Sequence, residues 1–122
     1  MKHWPGVAVA IFGASAVTLG AFGAHALRGT LAPDAMQVWH TAVQYQFWHT
    51  LALGLAAMLL PRGRSAKAAM IMFTLGIVLF CGSLYALALG APRWVGAVTP
   101  IGGAAFIAGW IALGVAFLRV RE

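Results

Sequence analysis

Acidic residues are almost absent from this sequence. Asp34 and Glu122 are the only two, and charged residues of both signs make up 8% of the chain. In a soluble domain, about a quarter of the residues are charged. With so few acids and no nucleophile motif, hydrolytic chemistry has no support in the sequence. We therefore predict a protein that is not an enzyme.

Cysteine is equally scarce, since Cys81 is the single one and lies inside an apolar segment. One cysteine excludes an internal disulfide framework and a paired-cysteine metal motif. Two histidines from different helices could hold haem or a metal ion, but His40 and His49 are nine residues apart and no carboxylate accompanies them. We expect no metal and no cofactor.

Hydrophobic residues, by contrast, make up 62% of the 122 residues. A chain of this size has too little interior to hide so much apolar surface from water. The net charge of +6 could suggest nucleic acid, but the Lys and Arg residues lie between the apolar segments and form no basic stretch. The expected partner is the lipid bilayer and not nucleic acid.

Four apolar windows have the length of a membrane span, at residues 4–27, 39–60, 68–89 and 98–118. The short connections between them make each helix antiparallel to the next. The sequence thus predicts one domain, residues 1–122, folded as an all-α antiparallel bundle of four transmembrane helices. The apolar run of the second window is short, and Pro33 followed by Asp34 favours a helix that begins earlier, near Pro33.

The basic residues lie mostly on one side of this predicted bundle. Arg28 and Arg93 lie on the opposite side. The N-terminus, the second connection and the C-terminus together hold six: Lys2, Arg62, Arg64, Lys67, Arg119 and Arg121. Because cytoplasmic segments carry the excess of Lys and Arg, both termini are predicted to lie in the cytoplasm. The expected location is a bacterial inner membrane, crossed several times.

Small residues recur at alternating spacings of three and four in two of the windows. The first window has Gly13, Ala16, Gly20 and Gly23, and the fourth has Gly102, Ala105, Gly109, Ala112 and Ala116. Helices in lipid associate through the close approach of small residues. We expect both seams to lie inside helix contacts, either with each other or with a second copy. A homo-oligomer, or a complex with another membrane protein, is therefore predicted.

Polar side chains of the second predicted helix, counted from its expected start near Pro33, fall within one half-circle of a helical wheel: Gln37, His40, Thr41, Gln44, Tyr45 and His49. Trp39, Val43 and Phe47 lie opposite. Hydrogen-bonding groups exposed to hydrocarbon would lack partners. This polar side is therefore expected to face the bundle, a cavity or the membrane interface.

The predicted topology brings polar groups from all four helices into the outer half of the bundle, while the cytoplasmic half is almost wholly apolar. Two interpretations stay open: a pocket that recognises a lipid head group or small amphiphile, and the hydrogen-bonded core of a structural subunit. A proton-linked or small-solute transporter is the alternative function, although a path would end in the apolar half. A redox enzyme that uses quinone or haem comes third.

Four stretches of the sequence resemble the signatures of the YgdD family of small membrane proteins. They are GAFGAH at 20–25, YQ at 45–46 followed by HTL at 49–51, LFCGSLY at 79–85, and TPIGG at 99–103. The resemblance implies a four-helix protein of bacterial inner membranes, and it implies no activity, substrate or cofactor. The candidate binding residues are the matched polar positions: His25, Tyr45, Gln46, His49, Ser83, Tyr85 and Thr99. Gln46 departs from the wheel, because it points about 60° beyond His49.

Overall fold

The computed structural model describes residues 3–120, without the side chain of Arg62, and these residues form four helices and no strand. Helix α1 spans Trp4–Leu27, α2 spans Pro33–Met58, α3 spans Arg64–Ala88 and α4 spans Val98–Arg119. Turns of 3-10 helix at Leu60–Arg62 and Arg93–Ala97 precede α3 and α4. The predicted all-α class is confirmed.

The ends of some helices lie outside the predicted apolar windows, because these helices continue beyond the hydrocarbon region. Helix α2 begins at Pro33, as its first-turn residues predict, and ends at Met58. Helix α3 begins at Arg64, four residues before its window, because Gly63 with φ of 143° ends the preceding turn and the basic residues form the first helical turn. Hydropathy detects the part of a helix that lies in lipid, so the polar first turn of α3 was missed.

Three helical stretches of the described residues are long and apolar enough to cross a membrane: Trp4–Leu27, Arg64–Ala88 and Arg93–Arg119. Helix α2 is not among them, because polar side chains occupy its first half. Its 26 residues nevertheless span about 39 Å at 1.5 Å per residue. Length therefore does not distinguish α2 from its neighbours; composition does.

Each helix packs mainly on its neighbour in sequence, in the order α1, α2, α3, α4. The core lies between α2, α3 and α4, where Leu53, Met70 and Phe73 are the largest fully buried side chains. Helix α1 is peripheral and buries only the face that packs on α2. Helices α2 and α4 touch only locally. A cleft therefore remains open between α2 and α4.

The small-residue seam of α1 packs on α2. Ala16 is fully buried there. A methyl group added at Gly20 would lie 3.0 Å from the Cγ1 atom of Val43, and one added at Gly23 would lie 2.9 Å from the Cζ2 atom of Trp39. The missing side chains thus allow the close approach of α1 and α2.

The seam of α4 packs on α3 in the same way. A methyl group at Gly102 would meet the backbone of Phe80, and one at Gly109 would lie 2.7 Å from the Cε1 atom of Phe73. Each seam is therefore filled by the neighbouring helix of the same chain, and the two seams do not face each other as one of our alternatives expected. The short connections explain this, because they hold α1 against α2 and α3 against α4.

The buried face of α2 matches the wheel prediction only in part: His49 is buried and Phe47 is exposed, as predicted, but other positions differ. Trp39 is 5% exposed and Gln46 is 3% exposed, whereas Gln37, His40 and Gln44 are exposed. The alanines and the leucine on the same face as Trp39 pack against α1 and α3. Packing rather than polarity therefore determines which face of α2 is buried. Gln46 also lies on this face, and its long polar side chain forms hydrogen bonds with both neighbouring helices.

Candidate functional site

Gln46 lies at a junction of three helices. Its Nε2 atom donates hydrogen bonds to the carbonyl oxygen of Phe12 at 2.9 Å and to Oγ of Ser15 at 2.8 Å, both in α1. Its Oε1 atom accepts a hydrogen bond of 2.7 Å from the hydroxyl of Tyr85 in α3. A carboxamide has two N–H donors, so both are used. Gln46 thus joins α1, α2 and α3 through one side chain.

We include in this junction the neighbouring contact of His49, which joins α2 to α4. Its ring lies against that of Phe106, with centroids 3.6 Å apart and planes 11° apart. Its Nδ1 atom is 2.7 Å from the carbonyl oxygen of Tyr45, and its Nε2 atom accepts a hydrogen bond of 3.0 Å from Nε1 of Trp110. A carbonyl oxygen only accepts, so Nδ1 carries the hydrogen and the Nε2 lone pair faces the indole. Both nitrogens are therefore used by the neutral imidazole.

Two further pairs tie neighbouring helices together. Nε1 of Trp39 donates a 3.0 Å hydrogen bond to the carbonyl oxygen of Leu19. Leu19 lies in the π-helical turn Thr18–Gly23 of α1, where the regular backbone hydrogen bonding changes. The hydroxyls of Ser83 and Thr99 are 2.5 Å apart and join α3 to α4. Every buried side-chain nitrogen or oxygen of the described residues has a partner.

The structure joins six of the seven candidate binding residues in three separate pairs. Gln46 bonds to Tyr85, and the rings of Tyr45 and His49 are stacked with centroids 5.7 Å apart. Ser83 and Thr99 form their own pair between α3 and α4. His25 is exposed near the end of α1, where its backbone carbonyl accepts a hydrogen bond from the N–H of Arg28, and its side chain makes no hydrogen bond among the described residues. These placements show contacts, and the binding role of the seven residues stays a prediction.

Sequence reasoning missed Trp110, Phe106 and Ser15, which complete the junction. Each lies in an apolar helix with no motif around it. One sequence signal pointed to the pair of His49 and Trp110. An indole N–H in lipid needs a hydrogen-bond acceptor, and a histidine nitrogen can be that acceptor. The identity of the pair still depends on how α4 packs.

Two grooves open between α2 and α4, one on each side of the contact between His49 and Trp110. Their volumes are about 540 and 510 Å³, and Tyr45, His49 and Trp110 line both. The first groove is completed by Trp48, Leu51, Ala52 and Leu55. The second is completed by Phe80, Pro100, Gly103, Ala104, Phe106 and Ile107. The walls are mostly aliphatic and aromatic, so the grooves suit a hydrocarbon chain.

The described residues hold no group of three or more His, Cys, Asp or Glu side chains that could bind a metal ion. The polar atoms at the junction are carboxamide, hydroxyl, imidazole and indole groups already bonded to one another. Chemically, the arrangement can hold helices together and can present an apolar cleft.

Comparison with known proteins places the chain among bacterial membrane proteins. The family described as "Protein of unknown function (DUF423)" matches residues 19–103. The UPF0382 membrane protein YwdK of Bacillus subtilis is 47% identical over 108 residues, 85% of this chain and 87% of the relative. The UPF0382 inner membrane protein YgdD of Escherichia coli is 42% identical over 115 residues, 93% of this chain and 88% of the relative. No solved structure is a significant match.

The resemblance drawn from the four signature stretches is confirmed by these relatives, and so is the inner-membrane location. The matched residues 19–103 contain Gln46, His49, Tyr85 and Thr99 and end before Trp110. The chain belongs to the DUF423 family of membrane proteins.

Proposed function

We propose that the chain is a non-enzymatic membrane protein of four spans that holds a lipid acyl chain in the cleft between α2 and α4. One observation carries the proposal. The polar atoms of the junction are paired with one another, whereas the cleft beside it is open and apolar. The junction therefore joins helices, as polar side chains commonly do in membranes. The cleft binds the acyl chain.

The proposal includes α2 as a fourth span, with both termini in the cytoplasm. At about 39 Å, the helix exceeds the hydrocarbon thickness of about 30 Å. It packs along α1 on one side and α3 on the other, and both of these are apolar enough to cross a membrane. Six of the eight Lys and Arg residues lie on the side of the termini and the α2–α3 connection, which favours that side as cytoplasmic.

Proton-linked or solute transport, the alternative function, has less support. A proton added to Nε2 of His49 would displace the hydrogen bond from Trp110. Toward the cytoplasmic side the core continues as Leu53, Met70 and Phe73, all fully buried. These three side chains carry no titratable group that could take a proton onward.

Filling the first groove tests the proposal. Leu55 lines this groove and is 45% exposed, whereas Leu75 on α3 is 43% exposed and lines neither groove. After extraction in a mild detergent, native mass spectrometry should find a phospholipid retained by the wild type and by Leu75→Trp. Leu55→Trp should lose it, because the indole occupies the space of the acyl chain.

The proposal would be overturned by a wild type without lipid, or by Leu55→Trp with as much lipid as the wild type. Circular dichroism of both variants shows whether each keeps its helices. The two substitutions add the same side chain at positions of equal exposure, so a difference in retained lipid reports on the groove.

A further inference from the structure

One face of α2 stays uncovered along most of the helix. Phe47 on this face is 41% exposed and Leu51 is 61% exposed. The residues of the face follow one another at alternating spacings of three and four, the heptad pattern of helices that pack side by side. We call this surface the heptad face, and it consists of Gln37, His40, Gln44, Phe47, Leu51 and Gly54.

The polar residues of the heptad face lie at the depth of the hydrocarbon core. Ser15 is at the middle of the apolar span Trp4–Leu27 and accepts a hydrogen bond from Gln46, which is itself at the middle of α2. Gln44 and His40 are two and six residues from Gln46, or about 3 and 9 Å along the helix. Half of the hydrocarbon core is about 15 Å. Both side chains therefore lie within it.

These two side chains have no partner in the single chain. His40 and Gln44 are exposed, and their side chains make no hydrogen bond among the described residues. Other exposed polar groups of the spans are already bonded, since Thr18 donates to the carbonyl oxygen of Ala14 at 2.8 Å and Trp110 donates to His49. Polar side chains at this depth normally face another helix. The heptad face is therefore a contact surface for a helix outside this chain.

The heptad face complements itself. Copies of the chain enter the membrane in one orientation, so a two-fold axis along the membrane normal relates two of them, and residues beside the axis face their own equivalents. A carboxamide has both donors and an acceptor, so Gln44 can bond to Gln44 of a second copy. A neutral imidazole also has one of each, so His40 can do the same. Lipid tails offer neither group.

The apolar half of the heptad face permits the two helices to approach. A methyl group added at Gly54 would have no atom within 4 Å, so the surface is open there. A small residue in such a position lets two membrane helices pack closely. Polar residues at heptad positions fix the register of the pair.

We infer that the chain forms a parallel two-fold dimer through the heptad face, in which the Gln44 side chains of the two copies bond to each other. The inference rests on α2 as a fourth span, as proposed above. It does not depend on the lipid-binding cleft, because Leu51 is the one residue that the heptad face shares with either groove.

Förster transfer between labelled copies in phosphatidylcholine vesicles tests the inference. Each copy carries a dye on a cysteine added after Glu122, and Cys81 is replaced by alanine so that no other thiol reacts. Lipid is added in steps to dilute the protein in the bilayer, which yields a dissociation constant. The parent chain should show transfer that decreases when unlabelled chain is added.

Two variants should weaken the dimer. Gln44→Leu should raise the dissociation constant about tenfold, because the paired carboxamides are lost. Gly54→Leu should raise it at least as much, because its side chain enters space that is open in the single chain and filled by the second copy. Circular dichroism in dilute detergent, where the copies are separate, checks that each variant is folded.

Two matched controls should keep the dissociation constant of the parent chain. Thr18→Leu removes an exposed polar side chain of α1 at a similar depth. Gly114→Leu adds the same side chain as Gly54→Leu to α4, again at a position with no atom within 4 Å of the added methyl group.

The outcomes separate this inference from the proposed function. A parent chain that is monomeric in the vesicles overturns the inference and leaves the heptad face to lipid or to another membrane protein. A dimer that neither Gln44→Leu nor Gly54→Leu weakens, or that the two controls weaken equally, also overturns it, because the copies would then meet elsewhere. A monomeric chain that retains lipid still supports the lipid-binding cleft, so the two proposals fail independently.

Discussion

Replacing Gln46 by leucine is expected to lower the free energy of unfolding by about 2 to 3 kcal/mol, because contacts among three helices are lost together. The substitution removes the bonds to Phe12, Ser15 and Tyr85. It also leaves the tyrosine hydroxyl without its acceptor in a low-dielectric interior. Thermal unfolding in detergent, followed by circular dichroism, measures the change.

Gln44→Leu is the matched control for this substitution. Gln44 lies two residues away on the same helix and is exposed, and its side chain makes no hydrogen bond within the described residues. Its replacement should change the free energy of unfolding by less than about 0.5 kcal/mol. Equal destabilisation by the two leucines would show that the junction does not hold the helices together.

Gly102→Ala should destabilise the chain by about 1 to 3 kcal/mol, as overpacking of a close helix contact does. The added methyl group would meet the backbone of Phe80, which cannot rotate away as a flexible side chain can. Helices α3 and α4 must then move apart, and the pair between Ser83 and Thr99 is strained with them. Denaturant or thermal unfolding in detergent reports the loss.

Gly114→Ala in the same helix serves as its control. A methyl group there has no atom within 4 Å, so only the helix propensity changes, by up to about 1 kcal/mol in favour of alanine. The expected result is an equal or slightly higher unfolding temperature. A Gly102→Ala protein as stable as Gly114→Ala would contradict the close approach of α3 and α4 at this point.

The fold was predicted from the amino-acid composition and from residue types that are typical of helix ends. The scarcity of charge gave the membrane class, and Pro33 with Asp34 gave the start of α2. The first apolar window coincides with α1 at both ends, Trp4–Leu27. These features are local, because each depends on a residue's preference for lipid or for one turn of helix.

The candidate site was predicted less well, because its geometry depends on contacts between helices. A helical wheel ranks faces by polarity and therefore placed Gln44 inward and Trp39 outward, whereas the structure has the reverse. Gln46 belongs to the signature stretches and was included for that reason, yet its three partners lie 31 to 39 residues away in sequence. Such partners become visible only when the helices are packed.

His49 belongs to both regions of the site. It bonds to Trp110 within the junction and lines both grooves of the cleft. A substitution at His49 therefore alters helix contacts and groove shape at once. Leu55 separates the two effects, because it lines the first groove and makes no junction hydrogen bond.

Nuclear Overhauser contacts between a retained lipid and the cleft are the most direct measurement. The protein is extracted with its native lipid and exchanged into fully deuterated detergent, so that remaining acyl-chain signals come from retained lipid. Acyl protons should contact the methyl groups of Leu51 and Leu55 and the indole of Trp110, and not those of Leu75. Absence of retained acyl signals, or contacts with Leu75 as strong as those with Leu55, would contradict a lipid-binding cleft between α2 and α4.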